Sequence, residues 1–172
     1  MGKMKDMVIS MKDKLGEDFN RPGPIKEKDR KGNIFYKNEN GEYHRTDGPA
    51  IERSDGSKYW YLNGKRHRTN GPAVEYNNGT KEWWINGERH RTDGPAIEYS
   101  DGSKYWYLNG KVHRTDGPAV ELSNGTKEWF LNGERHRTNG PAIEYNSGSR
   151  EWWIDGERHR TDRPADRDWE TT

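Results

Sequence analysis

The apolar residues of this chain fall into short strings that are separated by turns at fixed places. Residues 72–76 and 81–85 are two such strings, and each ends close to an Asn-Gly pair, Asn78-Gly79 or Asn86-Gly87. Asn-Gly pairs favour turns with positive φ, and strings of about five residues rich in Val, Ile, Tyr and Trp are typical of strands. The pattern therefore predicts antiparallel β-hairpins with no room for helices between them.

The hairpin pattern repeats every 23 residues. The string HRTDGPA or a close variant begins at each of the six histidines, which are His44, His67, His90, His113, His136 and His159. Five complete repeats follow, numbered here repeat 1 (44–66), repeat 2 (67–89), repeat 3 (90–112), repeat 4 (113–135) and repeat 5 (136–158). Residues 32–43 are predicted to be a degenerate half-repeat that caps the array, and 159–172 a charged C-terminal cap. We expect an elongated, single-chain, all-β array.

Neighbouring repeats differ in a regular way. Repeats 1 and 3 contain SDGSKYWYLNGK, whereas repeats 2, 4 and 5 contain NGTKEW or its relative SGSREW. Two strands per repeat, with residues such as 86–95 as an ordered loop, are favoured because Glu88–Arg91 lacks an apolar face. Three strands per repeat is the alternative, since it would reverse the chain direction at every repeat and explain the alternation.

Alternation of side chains along a strand places Trp83 and Ile85 on one face and Glu82 and Trp84 on the other. The first set predicts a buried ladder, made of Trp60, Trp83, Trp106, Trp129 and Trp152 with Leu62, Ile85, Leu108, Leu131 and Ile154. The second set must be covered either by another part of the protein or by a partner. We take it as the candidate partner-binding face, because a large exposed aromatic patch marks an interaction surface. Its residues are Tyr61, Trp84, Tyr107, Phe130 and Trp153.

Composition narrows the class of protein. Only 20 of the 172 residues are Leu, Ile, Val or Phe, which is typical of disorder, but the net charge is only +1 and there are eight Trp and nine Tyr. The absence of Cys excludes disulfides and thiolate metal sites. Balanced charge argues against nucleic acid as a partner, because the chain has no overall basic surface to attract phosphates. No apolar stretch is long enough to span a membrane. Without a secretory signal pattern, we expect a cytoplasmic protein.

The N-terminus follows a different pattern. Met4, Met7, Val8, Met11 and Leu15 recur at helical spacing, so residues 1–20 are predicted to contain a short amphipathic helix. Residues 21–31, which include Pro22-Gly23-Pro24 and a charged run, are predicted to be a linker.

No residue pattern points to catalysis, because every polar residue type recurs in each repeat whereas an active site is unique. We therefore expect no enzyme, no cofactor and no metal site, since equivalent histidines two strands apart would lie about 10 Å from each other. The imidazoles are expected to order the loops by hydrogen bonding to a carbonyl or carboxylate. Arg residues that recur after each His are expected to pair with Glu and are candidate polar contacts to a partner, namely Arg68, Arg91, Arg114 and Arg137.

The strings at 55–68 (DGSKYWYLNGKRHR) and 78–91 (NGTKEWWINGERHR) resemble the MORN repeat, and the resemblance covers about 32–165. They are most similar to divergent MORN variants in bacterial antitoxin-like proteins and in phage and large-virus proteins. The resemblance implies a non-catalytic scaffold that binds macromolecules, often as a homodimer, and in its most specific form a phage or viral inhibitor of a host protein, acting in the host cytoplasm. The alternative is an aromatic ladder that binds carbohydrate or single-stranded nucleic acid.

Overall fold

The computed structural model describes residues 23–162, which form strands and turns and contain no helix. The predicted helix in 1–20 and most of the predicted C-terminal cap lie outside these residues. In chain order the strands are β1 (Ile25–Lys28), β2 (Ile34–Lys37), β3 (Ile51–Glu52), β4 (Lys58–Tyr59), β5 (Tyr61–Leu62), β6 (Lys65–Arg66), β7 (Val74–Glu75), β8 (Lys81–Glu82), β9 (Trp84–Ile85), β10 (Glu88–Arg89), β11 (Ile97–Glu98), β12 (Lys104–Tyr105), β13 (Tyr107–Leu108), β14 (Lys111–Val112), β15 (Val120–Glu121), β16 (Lys127–Glu128), β17 (Phe130–Leu131), β18 (Glu134–Arg135), β19 (Ile143–Glu144), β20 (Arg150–Ile154) and β21 (Glu157–Asp162).

Thirteen of the strands in residues 23–162 form one antiparallel sheet. Their order is β1-β2-β3-β4-β7-β8-β11-β12-β15-β16-β19-β20-β21, so each repeat adds its strands at the edge left by the repeat before it. The remaining strands pair as separate hairpins beside this sheet, namely β5-β6, β9-β10, β13-β14 and β17-β18. The predicted fold class, an all-β array of antiparallel hairpins with a 23-residue period, is confirmed.

A typical repeat contributes four short strands rather than two or three. In the segment 74–89, β7 and β8 belong to the main sheet and β9 and β10 form the second hairpin. The residues Glu88–Arg89 are therefore a strand, and the prediction of a loop there is wrong. The cause is the turn between β9 and β10: Asn86 and Gly87 have φ values of 52° and 89°, which match a two-residue type I′ turn that joins strands directly.

The structure also differs from the predicted linker at 21–31. Residues Ile25–Lys28 pair along their whole length with Ile34–Lys37 and form the first edge of the main sheet. All four side chains of β1 are exposed, and Ile25 is 54% accessible. An edge strand with Lys26 and Lys28 on it needs no apolar pattern, because backbone bonds and the ion pair of Glu27 with Lys37 (2.7 Å) hold it in the sheet.

The buried core lies in the strand that follows each HRTDGPA loop. Its residues are Ala50 with Ile51, Ala73 with Val74, Ala96 with Ile97, Ala119 with Val120 and Ala142 with Ile143, all at most 6% accessible. The Trp residues predicted to form a buried ladder, with their Leu and Ile neighbours, are only half-buried. These side chains lie where the chain leaves the main sheet, so they are packed on fewer sides than the Ala and Val of the sheet centre.

Buried hydroxyl groups join one repeat to the next. The Oγ atom of Ser57 accepts a hydrogen bond from the Asn77 amide at 3.1 Å, and Thr80 Oγ1 accepts one from the Ser100 amide at the same distance. Both hydroxyl residues are at most 5% accessible. The junctions therefore satisfy backbone groups that the short strands leave unpaired.

Candidate functional site

In repeats 1 to 4 the chain leaves the main sheet at the Trp that recurs every 23 residues, and this change of partner sets the geometry of the surface. At Trp83 the amide donates to the carbonyl of Ala96 in the next repeat (2.8 Å), while the Trp83 carbonyl accepts from His90 (3.1 Å). Up to this residue the chain pairs in the main sheet, and after it the chain pairs within the second hairpin. Glu82 and Trp84 consequently lie on one face of the chain, and Trp83 lies on the other.

The two faces of the main sheet carry different side chains. We define each face by the residues of repeat 2 that lie on it. The aromatic face is the side that bears Val74, Glu82 and Trp84, and the charged face is the side that bears Glu75, Lys81 and Trp83. Cross-strand register fixes this assignment, because Val74 is opposite Glu82 and Glu75 is opposite Lys81.

On the aromatic face, Glu82 is the centre of a small hydrogen-bond network. Its side chain is only 7% accessible, yet it accepts bonds from Trp84 Nε1 (2.8 Å) and from the Tyr76 hydroxyl (3.3 Å), and Arg89 Nη2 lies 3.6 Å away. Burial, followed by the charge of Glu82, raises the pKa of Tyr76. Repeat 5 repeats the arrangement, since Glu151 accepts from Trp153 Nε1 (2.9 Å) and from the Tyr145 hydroxyl (3.3 Å).

The second hairpins add a stack in which Arg groups alternate with aromatic rings. Arg66 and Arg89 both lie 4.9 Å from the Trp84 ring, and Arg89 lies 5.5 Å from Tyr107. Further along, Arg135 lies 5.6 Å from Phe130 and 5.4 Å from Trp153. The predicted partner-binding residues thus occupy one position of successive repeats on the aromatic face, in two stacks that are separated at Val112, and all five of them are half-buried.

The charged face repeats one motif in the five complete repeats. In repeat 3, Arg91 lies 3.9 Å from the Trp83 ring, donates from Nη1 to the Pro95 carbonyl (3.1 Å) and Glu98 (2.8 Å), and donates from Nε to Asp93 (2.9 Å). The predicted pairing of Arg with Glu is confirmed at the same spacing elsewhere, by Arg45–Glu52, Arg68–Glu75, Arg114–Glu121 and Arg137–Glu144.

The predicted polar contacts therefore lie on the charged face, away from the predicted aromatic row. Arg68, Arg91, Arg114 and Arg137 are only 20–24% accessible and are held by their own Trp and Glu neighbours. The Arg residues that do join the aromatic row are Arg66, Arg89 and Arg135, which the sequence analysis did not single out. The Asn-Gly turn before each of them was the available signal, because it predicts a strand pair that places each Arg opposite an aromatic residue.

Four clefts of 510–570 Å³ lie between successive HRTDGPA loops. One is floored by Trp106 and Leu108 and flanked by Arg91, His113 and Arg114. Each of these histidines contacts the second turn of its own repeat: His113 Nδ1 accepts from the Asn132 amide at 3.1 Å, and His44 Nδ1 accepts from the Asn63 amide at the same distance. In repeats 2, 3 and 5 the ring nitrogen also lies beside a side-chain oxygen: His67 Nδ1 is 2.9 Å from Asn86 Oδ1, His90 Nδ1 is 2.8 Å from Asn109 Oδ1, and His136 Nδ1 is 2.8 Å from Asp155 Oδ1. The expected contact of the imidazole with a carbonyl or carboxylate oxygen is therefore present in these three repeats.

The aromatic face lacks several of its usual polar groups near the junction of repeats 3 and 4. Val112 stands where repeats 1, 2, 4 and 5 have Arg66, Arg89, Arg135 and Arg158. In repeat 4, Leu122 and Phe130 replace the Tyr and Trp that donate to the central Glu in repeats 2 and 5, so Glu128 binds Arg135 alone, at 3.1 Å to Nε and 3.0 Å to Nη2. Polar groups are thus lost at three positions around the junction of repeats 3 and 4, and an apolar area results.

Comparison with known proteins adds no relative: no family model matches the chain, and the curated proteins give no match. In the part of the chain that the structure describes, no three His, Asp or Glu side chains converge as a metal site requires. The same part contains no helix long and apolar enough to cross a membrane.

Proposed function

We propose that this protein is a non-catalytic, MORN-like repeat module that binds another protein stoichiometrically through its aromatic face. In its most specific form the proposal is a phage or viral inhibitor of a host protein, or an antitoxin-like binder. That form rests on the sequence resemblance, while the choice of face rests on the geometry of the side chains.

The observation that carries the proposal is the apolar area around Val112, Leu122 and Phe130. The other repeats show that Arg, Tyr and Trp fit at these positions and form hydrogen bonds there, so the fold does not demand the apolar residues. All three side chains are half-buried and so present part of their apolar surface to solvent. Partly exposed apolar side chains in the middle of a face, with Arg and aromatic residues around them, are typical of a protein-binding surface. The charged face offers no such area, because its Arg and Glu side chains already bind each other.

The test restores the repeat pattern and asks whether binding is lost. Tagged wild-type protein and the double variant Val112→Arg/Phe130→Trp are used to capture proteins from a nuclease-treated lysate of the encoding cell or host, and retained proteins are identified by mass spectrometry. We expect one dominant protein near stoichiometric amount with the wild type and its loss with the variant. The variant should fold, since both new residues occur at these positions in other repeats.

A matched control lies on the opposite face. Lys104→Gln changes an exposed residue of the charged face in the same repeat and should leave capture unchanged. Equal loss with both variants would contradict the choice of face. Binding that depends on added glycan or on omission of nuclease would instead favour the carbohydrate or nucleic-acid alternative.

A further inference from the structure

A small cleft on the aromatic face, at the junction of repeats 3 and 4, combines aromatic and acidic groups. It measures about 350 Å³, and its walls include Tyr99, Asp101, Tyr105 and Leu122. The rings of Tyr99 and Tyr105 meet nearly at right angles, with centroids 5.5 Å apart, and Tyr99 is 41% accessible. Two tyrosine rings beside a carboxylate form an environment that attracts a cation.

The carboxylate is fixed and ionised. Asp101 accepts hydrogen bonds from the Ser103 amide (2.8 Å) and from the Ser123 hydroxyl (3.3 Å). These bonds, chiefly those with Ser103, lower the pKa of Asp101, so the group is negatively charged at neutral pH. A cation in the cleft would therefore find both a ring and a charge of opposite sign.

Repeat 1 shows the same site with a cation already in place. Asp55 and Tyr59 occupy the positions of Asp101 and Tyr105, but Arg53 stands where repeat 3 has Tyr99. The guanidinium of Arg53 lies 5.5 Å from the centre of the Tyr59 ring. Its charge also contributes, after the hydrogen bonds from Ser57, to the lowered pKa of Asp55.

The pair of Asp and Tyr occurs in these two repeats alone among the five. Repeats 2, 4 and 5 have Asn78, Asn124 and Ser147 at the Asp position and Glu82, Glu128 and Glu151 at the Tyr position. The alternation of repeat sequences therefore corresponds to two kinds of site: one with Asp and Tyr in repeats 1 and 3, and one with Asn or Ser and Glu in repeats 2, 4 and 5. One of the two Asp-Tyr sites holds its own Arg, and the other has an open cleft.

We infer that the cleft formed by Tyr99, Asp101, Tyr105 and Leu122 binds a cationic side chain, Arg or Lys, that the partner protein supplies. The affinity of the cleft for a cation stands on the geometry above, while the assignment of that cation to a partner rests on the proposed function. The affinity for a cation and the origin of that cation are tested by separate experiments, so that one can be overturned while the other stands.

The first experiment uses small probes and needs no partner. N-acetyl-arginine methylamide is titrated into full-length protein with labelled tyrosine rings, and the NMR signals of Tyr99 and Tyr105 are followed; the neutral analogue N-acetyl-citrulline methylamide is the control. We expect saturable shifts with the arginine probe alone. Asp101→Asn should weaken the affinity by about two- to fivefold, as for an exposed ion pair. No saturable shift, or equal shifts with both probes, would overturn the cation site and leave the proposed function standing.

A reciprocal pair of variants then tests the comparison of repeats 1 and 3. Tyr99→Arg copies repeat 1 and should fill the cleft, which removes the probe-induced shift at Tyr105. Arg53→Tyr copies repeat 3 and should create a new probe-induced shift at Tyr59. Both residues occur at this position in the native chain, so both variants should keep the circular dichroism spectrum of the wild type. Failure of both predicted changes would overturn the site.

The assignment to a partner is tested last, by repeating the capture experiment with Tyr99→Arg. Reduced capture supports the inference. Unchanged capture by Tyr99→Arg, together with loss of capture in Val112→Arg/Phe130→Trp, would overturn the role of the cleft in partner binding while supporting the aromatic face as the binding surface.

Discussion

The two faces of the sheet are built from the same repeats but differ in how uniform they are. On the charged face, each of the five complete repeats has an Arg that covers a ring and binds a carbonyl and a Glu, as Arg91 does with Trp83, Pro95 and Glu98. On the aromatic face the corresponding positions change from repeat to repeat, so that Glu82 is followed by Tyr105 and then by Glu128.

Uniformity and variation have different physical causes. Each repeat must pack on the next through the same contacts, so the contacts that hold the array together recur. A surface that recognises one partner has no such need and gains specificity from differences between repeats. We therefore propose that the uniform contacts of the charged face serve stability and that the variable positions of the aromatic face serve recognition, and the predictions below test this proposal.

The largest expected effect comes from deleting residues 67–112, which are repeats 2 and 3. The deletion joins Arg66 to His113, which is the same connection as Arg66 to His67, so the charged face stays continuous. We expect a folded, shorter protein with lower stability and with an m-value in urea lower by about a third, in proportion to the surface exposed on unfolding. Circular dichroism during urea unfolding measures both.

The same deletion removes Val112 and the cleft at Tyr99, so capture of the partner should be lost although the fold is kept. An unfolded product would contradict the description of the array as a series of nearest-neighbour contacts. Retained capture would contradict recognition at the junction of repeats 3 and 4.

A second prediction compares the stability lost by removing Arg91, on the charged face, with that lost by removing Arg89, two residues earlier on the aromatic face. Arg91→Ala removes a ring contact, the hydrogen bonds to the Pro95 carbonyl and Glu98, and a bond to the exposed Asp93. It should lower the free energy of unfolding by about 2–3 kcal/mol. Arg89→Ala should cost about 1 kcal/mol, because Arg89 Nε has no hydrogen-bond partner and Glu82 keeps its bonds to Tyr76 and Trp84. Urea unfolding gives both values. A larger loss with Arg89→Ala would reverse the assignment of stability to the charged face.

A third prediction concerns a gain of stability on the aromatic face. In Phe130→Trp the new Nε1–H can donate to Glu128, as Trp84 does to Glu82 and Trp153 does to Glu151. We expect the free energy of unfolding to rise by about 1 kcal/mol. The reverse change, Trp84→Phe, should lower it by a similar amount. If thermal unfolding shows no difference for either variant, the indole hydrogen bonds contribute nothing to stability. Phe130 would then carry no stability cost that a role in binding has to explain.

Much of the fold follows from the sequence because the turns determine it. Asn-Gly and Asp-Gly pairs at regular spacing predict hairpins, and the positive φ values of residues such as Asn63 and Gly64 confirm the predicted turns. Alternation also predicts correctly that Trp83 and Trp84 lie on opposite faces. Local backbone chemistry is enough for these features.

The burial pattern and the second hairpin could not be predicted in the same way. Strands of two residues, such as Glu88–Arg89, are too short to show an apolar period, so their polar residues look like a loop. Ala73 and Val74 are fully buried inside the main sheet between strands of neighbouring repeats, which is a property of the assembled array. Arg66, Arg89 and Arg135 join the aromatic row for the same reason, since only the second hairpin places them beside the rings.

The smallest expected effect lies in the loops of the charged face and concerns acid stability. Arg91 and its equivalents, through hydrogen bonds first and charge second, lower the pKa values of Asp47, Asp93 and Asp116, whereas the loops of repeats 2 and 5 have Asn70 and Asn139 instead. A lowered pKa in the folded state gives stability that is present above the unfolded pKa of about 3.9 and is lost as the pH falls through the folded value. The triple variant Asp47→Asn/Asp93→Asn/Asp116→Asn should therefore lose less stability than the wild type between pH 7 and pH 3. Asn70→Asp is the matched opposite and should lose slightly more, because Arg68 Nε already lies 3.4 Å from the Asn70 side-chain oxygen. Urea midpoints at the two pH values measure the difference, and identical acid profiles for all three proteins would show that these exposed pairs contribute nothing to the uniform face.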